Sequence, residues 1–239
     1  MTNLHDFPPF PGFRPQALAF LRQLKQHNDR AWFRPRKPIY EDELRWPMQC
    51  LLAEVGRELA RRGLPLRGDP EQGLFRIYRD TRFSPNKQPY KTHIGAVLSR
   101  SGSRNEQGVV YIHIEPDASF LSAGFWKPDA RLLRRWRQHL LQEADTFLAL
   151  VHHLQAQGLI LETDTACKRL PRGFEDAAHS PVAPYLRWNS FLVSQDVPNE
   201  AVLKPTFTQQ VVRFTESVLP LLTFGWQAPQ TYPAKSASG

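Results

Sequence analysis

Residues 75–98 read FRIYRDTRFSPNKQPYKTHIGAVL, and within this stretch the chain changes its period. Upstream, apolar residues recur at helical spacing. From Phe75 onward they alternate, so the reading passes from helix to strand. Phe75–Asp80 is expected as a strand, with Arg76, Tyr78 and Asp80 on one face and Phe75 and Ile77 on the other. His93–Leu98 is expected as its partner. Between them Arg82–Lys91 reads as a loop stiffened by Pro85 and Pro89. Strict alternation would put Arg79 on the apolar face, which is resolved most simply if the strand ends before it.

Downstream, Val109–Glu115 and Ser119–Trp126 read as a third and a fourth strand, and short connections favour an antiparallel meander. The linker Arg100–Gly108 is rich in Ser, Gly and Asn and reads as a flexible hairpin loop. Tyr111, His113 and Glu115 share one face of the third strand, opposite Val110, Ile112 and Ile114. His93 points away from Ile94, Ala96 and Leu98 and joins that polar set.

Helical spacing frames this sheet. Pro15 stands at a first helical position, and Ala17, Leu18, Phe20, Leu21 and Leu24 form an apolar stripe. Asn28 and Asp29 can cap a short second helix carrying Trp32 and Phe33. A longer helix is expected from Pro38, kinked at Pro47 and stopped by Gly63. After Pro128 the period returns through Leu133, Trp136 and Leu140, then Phe147, Leu150, Val151 and Leu154. Arg131, Arg134, Arg135 and Arg137 are read as its solvated face. Trp188–Ser194 can add an edge or central strand, and a last helix begins near Pro205. The expected fold is α+β: one domain over residues 1–226, with a central, mostly antiparallel sheet of about four to five strands packed by N- and C-terminal helices. Residues 227–239 lack apolar period and are expected as a disordered tail.

The 239 residues suffice for a substantial core, and no apolar run reaches the length of a membrane span. The N-terminus lacks the pattern of a secretory signal, so the expectation is a cytoplasmic protein with no membrane partner. Cys50 and Cys167 have no metal-ligand spacing around them and read as ordinary thiols. A net charge of +8 favours anionic partners, either a small molecule or nucleic acid. No phosphate-binding glycine loop, dinucleotide fingerprint, nucleophile elbow or paired-histidine zinc helix is present, so no cofactor is identified.

The cations of residues 75–98 carry the binding chemistry. Arg76, Arg82, Lys87 and Lys91 supply charge, Ser84 a hydroxyl, and Tyr78 and Tyr90 rings that can stack on a base. The expected function is binding of a phosphorylated or other anionic, nucleotide-like ligand. One rival is an enzyme on such a substrate, with Asp80, His113 and Glu115 as candidate catalytic groups. The other is a structural or protein-interaction module in which the cations only fasten loop to sheet. His113 and Glu115 could form a base with its orienting acid or two metal ligands. Paired surface side chains explain them more simply, and no metal site is assigned.

At GFRPQALAFLRQLKQHNDRAWF, FRIYRDTRFSPNKQPYKTHIGA, YIHIEP, KRLPRGF and LRWNSF the chain resembles the bacterial and fungal family called domain of unknown function 2461. The resemblance places Lys168, Arg169, Arg172, Gly173 and Phe174 on a second basic motif and adds Arg172 to the candidate ligand-binding residues. Asn86 and Asn189 stand where the family often carries Asp and Lys. The resemblance implies no particular activity or ligand.

Overall fold

Pro15 has no N–H to lose at a helix start, and α1 runs Pro15–Gln26 with its apolar stripe buried. In this computed structural model, which describes residues 3–228, Asp29 caps α2 (Arg30–Tyr40) by accepting from the Trp32 N–H. The long helix expected to start at Pro38 does not start there. Instead α2 crosses Pro38 and enters a π-helical turn over Glu41–Arg45, which leads into α3 (Trp46–Arg61). Pro47 cannot donate to the carbonyl four residues back, and just upstream Trp46 donates across a wider turn to Glu41. The distortion expected at Pro47 is therefore a widened turn. Gly63 follows the helix with φ +69°, a value that an L side chain resists.

Next come β1 (Ile94–Leu98), β2 (Val109–Ile114), β3 (Ser119–Phe125), α4 (Ala130–Gln142), α5 (Ala144–Ala156), β4 (Leu161–Glu162), α6 (Ala183–Leu186), β5 (Phe191–Val197), α7 (Asn199–Val202) and α8 (Phe207–Gln227). The fold is α+β, with a five-stranded sheet in the order β1-β2-β3-β5-β4. β1 pairs antiparallel with β2, and β4 with β5. The expected strand at Trp188 begins at Phe191 and takes an inner position as β5. No helix among the described residues is long and apolar enough to cross a membrane.

Phe75–Asp80 is not the regular strand that alternation predicts. Two isolated antiparallel bridges, Leu74 to Ala96 and Tyr78 to Tyr90, hold the segment against β1 and the chain before it. Leu74 to Tyr78 spans four residues, whereas Tyr90 to Ala96 spans six, so no single register satisfies both bridges. The ladder breaks between them, and the excess falls around Lys91, Thr92 and His93, just outside β1. The linker after β1 is also better anchored than its composition suggests. Glu106 accepts from the Arg100 and Ser101 N–H groups, and the Ser99 hydroxyl donates to the Ser103 carbonyl.

Two compact units divide the described residues, one within Met1–Glu106, Val110–Ser122 and Gln195–Glu216, the other within Gln107–Val109, Ala123–Ser194 and Ser217–Gly239. In the first, α3 packs on β1, and Phe33 stacks on Tyr90 with ring centroids 4.1 Å apart. In the second, Trp136 stacks on Phe191 at 4.1 Å, with Phe125, Phe147 and Phe224 edge-on around it. Arg137, expected on a solvated face, is buried there. Its guanidinium donates to the Trp188 carbonyl at 3.0 Å and to Asn189 Oδ1 at 3.1 Å, which offsets part of the cost of its burial. α8 continues to Gln227, so the start of the expected tail is helical; its remainder, 229–239, lies outside the described residues.

Candidate functional site

The register of β1 on β2 builds the first part of the site. Gly95 lies opposite His113 and Val97 opposite Tyr111. A Cβ at Gly95 would come within 2.6 Å of the Tyr111 hydroxyl, so the glycine leaves room for that ring to lie across β1. Tyr111 Oη then reaches His113 Nδ1 at 3.0 Å, while His113 Nε2 faces Glu115 Oε2 at 3.2 Å. The other Glu115 oxygen accepts from the Thr92 hydroxyl at 3.2 Å and lies 3.7 Å from Lys25 Nζ. Phe120 stacks on His113 with centroids 4.5 Å apart, and the His93 ring lies 4.2 Å away.

His113 is buried, so it is not the exposed strand pair that its spacing first suggests. Burial pushes the Tyr111 hydroxyl up to about 12, with the Glu115 charge adding to it. Burial likewise holds His113 below the ordinary imidazole range, against the pull of Glu115. His93 falls to about 4, first through burial, then through His113 and Lys91, with Glu115 opposing. Both imidazoles are thus neutral at pH 7 and each keeps a lone pair. The nearest ligand atoms of His93, His113 and Glu115 all lie within 4.8 Å of one another.

The second part adjoins it through Phe75 and Lys91. Phe75 meets Tyr111 edge-on at 5.9 Å, and Lys91 Nζ sits 5.1 Å above the Phe75 ring. Burial lowers the Lys91 ammonium, and the charges of Arg76 and Arg104 lower it further. Phe75, Arg76, Tyr78 and Arg104 line a cleft of about 300 Å³ together with Phe33, Lys37, Tyr40, Glu41, Arg45, Glu71, Leu74 and Ile77. Four cations face two acids there. Glu41 is engaged by Arg45 at 2.9 Å, and Arg104 donates to the Gln72 and Leu74 carbonyls. Among the described residues no hydrogen bond or ion pair occupies the Arg76 or Lys37 side chain.

The hairpin loop beyond Tyr78 is occupied with itself. Arg82 grips Asp80 with two bonds at 3.0 and 2.7 Å, which holds that carboxyl at about 2. Lys87 donates to the Thr81 carbonyl at 3.0 Å. Ser84 is half-buried in the loop, and half-buried Arg79 donates its N–H to the Pro89 carbonyl beside the Tyr78 bridge. Tyr90, expected as a ligand-stacking ring, is a core side chain, and Asn28 clamps its backbone at both N–H and carbonyl. Arg172 is exposed in the second unit.

The expected constellation therefore divides. His93, Tyr111, His113 and Glu115 come together as alternation predicts, Arg76 and Tyr78 line the cleft beside them, and Asp80, Arg82 and Lys87 belong to the loop. Lys37, Arg104 and Phe120 lie outside the sequence expectations. Alternation along β3 was a usable signal for Phe120, whereas nothing local marks Lys37 or Arg104.

One family, described as "Conserved hypothetical protein (DUF2461)", matches residues 16–224. No curated protein and no solved structure matches the chain.

Proposed function

The chain belongs to the DUF2461 family, a membership that names no reaction, and on the geometry of the cleft we propose that the protein binds a phosphorylated or otherwise anionic, nucleotide-like ligand. The observation that carries the reading is the cleft of about 300 Å³, in which Arg76 and Lys37 stand beside the exposed ring of Tyr78. A guanidinium and an ammonium suit a phosphate or carboxylate, and an aromatic face suits a base. That size is at the lower end for small-molecule sites and favours a nucleotide over a duplex.

A melting-temperature screen against nucleotides, sugar phosphates and short oligonucleotides tests this. A nucleotide should raise the melting temperature, and Arg76→Ala should weaken it by tenfold or more. Equal affinity after both Arg76→Ala and Lys37→Ala would remove the reading. If an oligonucleotide binds instead, affinity should fall with salt at a log–log slope of about −0.9 per phosphate contact on duplex DNA.

An enzyme acting on the same ligand is the second reading, favoured by the part-buried chain Tyr111–His113–Glu115 next to Phe75. It ranks lower because both His113 nitrogens are engaged, and a base must break one of those contacts to take a proton. Asp80 is ionised, exposed and held by Arg82, which removes it from that set. His113→Ala separates the readings: a binder keeps its affinity, whereas an enzyme keeps binding and loses turnover.

A further inference from the structure

We infer that His93, His113 and Glu115 form a site for one divalent transition-metal ion, a role distinct from anion binding in the cleft. Two imidazoles and one carboxylate are the donor set that zinc and its first-row neighbours take, whereas magnesium and calcium prefer oxygen throughout. The donors already lie within 4.8 Å of one another. An ion about 2.0–2.2 Å from each donor sets tetrahedral ligands roughly 3.4 Å apart, so small side-chain rotations close the shell.

Three further features fit a metal better than a hydrogen-bond network. The His93 imidazole is half-buried next to the His113–Glu115 pair, yet makes no hydrogen bond with another described residue. Its ring nitrogens keep contact with solvent, so a lone pair is open to an incoming ion. Tyr111 lies on Nδ1 of His113, so that with an ion on Nε2 the ring proton sits on Nδ1 and is donated to the tyrosine oxygen. Glu115 Oε1 is fixed by Thr92 and Lys25, which leaves Oε2 to face the ion. Three protein ligands leave a coordination position open to water or to a ligand oxygen.

The test uses the full chain, freed of metal by chelator and titrated with Zn²⁺ or Co²⁺ alone, with no anionic ligand present. One equivalent should bind, and Co²⁺ should give visible absorption bands of a low-coordinate site. His93→Gln should lower the affinity at least tenfold, with unchanged circular dichroism. Glu115→Gln supplies an independent second variant with the same expectation. No saturable uptake by the native protein, or uptake that survives both substitutions at full affinity, would overturn the site. Because the titration contains no nucleotide, its outcome is independent of whether the cleft binds one.

Discussion

Residues 79–89 and the face shared by β1 and β2 differ in the opposite sense from their charge. The loop holds Arg79, Arg82 and Lys87, but Arg82 is spent on Asp80 and Lys87 on a carbonyl six residues back. The strand face has few charges, yet it gathers two neutral imidazoles, a tyrosine and a carboxylate within mutual reach. Exposed charges next to one another in sequence readily satisfy one another in water, at little gain to either. Buried polar groups on a fixed register have only the partners that the fold supplies, so their arrangement carries more chemistry.

The sharpest way to break this comparison is to set two aromatic residues of the same stretch against each other. Tyr90 is 3% exposed and Phe83 is 93% exposed. Tyr90→Ala should cost about 3–5 kcal/mol in denaturant unfolding, as large core truncations do. Phe83→Ala should stay within about 0.5 kcal/mol. Similar losses at both positions would mean that the loop is part of the core.

Acid should find the strand face next. His93 sits at about 4 in the folded chain, below the ordinary value near 6.5, so the unfolded chain binds the proton more readily. The stability contributed by neutral His93 is complete above about pH 6.5 and is lost as pH falls from there toward 4. At about 1.4 kcal/mol per pKa unit the loss reaches at most about 3 kcal/mol. His93→Gln should flatten the slope of melting temperature against pH in that window. An equally steep slope in the variant would place the acid sensitivity elsewhere.

Much of the fold was legible, and the reasons differ by element. α1 announced itself through Pro15 and a five-residue stripe, and α2 through the Asp29 cap, because both signals are local. The polar face of Tyr111, His113 and Glu115 followed from a period of two, which holds wherever a ladder is unbroken. Phe75–Asp80 escaped because two bridges in different registers cannot be read from one strand alone. Arg137 and Tyr90 were misplaced for a related reason. The Trp188 carbonyl that receives Arg137 and the Phe33 ring that receives Tyr90 come from distant parts of the sequence. The cleft likewise joins Lys37 of α2 to Arg76 and Arg104, a proximity set by packing alone.

A methyl group tests whether the Tyr111–His113 contact depends on the room left by Gly95. Its added Cβ would meet the Tyr111 hydroxyl at 2.6 Å and the Cε2 ring carbon at 2.9 Å, so the ring must tilt away from β1. Gly95→Ala should cost about 1–3 kcal/mol through overpacking. It should also detach Tyr111 from His113, visible as a shift of the His113 ring resonances in NMR. Unmoved resonances would show that the tyrosine has another route to the imidazole.

Lys87 gives the smallest effect and the most decisive one for the loop. Its ammonium is exposed and, among the described residues, its one hydrogen bond goes to the Thr81 carbonyl, so Lys87→Ala should change stability by no more than about 0.5 kcal/mol. If the loop serves only to fasten itself, the small fall in melting temperature is the whole effect, and anion affinity is unchanged. If the loop closes over a ligand in the cleft, affinity falls while stability holds, because Lys87 then exchanges the carbonyl for a phosphate. Measuring both quantities on the same variant separates a cation that holds the chain from a cation that holds a ligand.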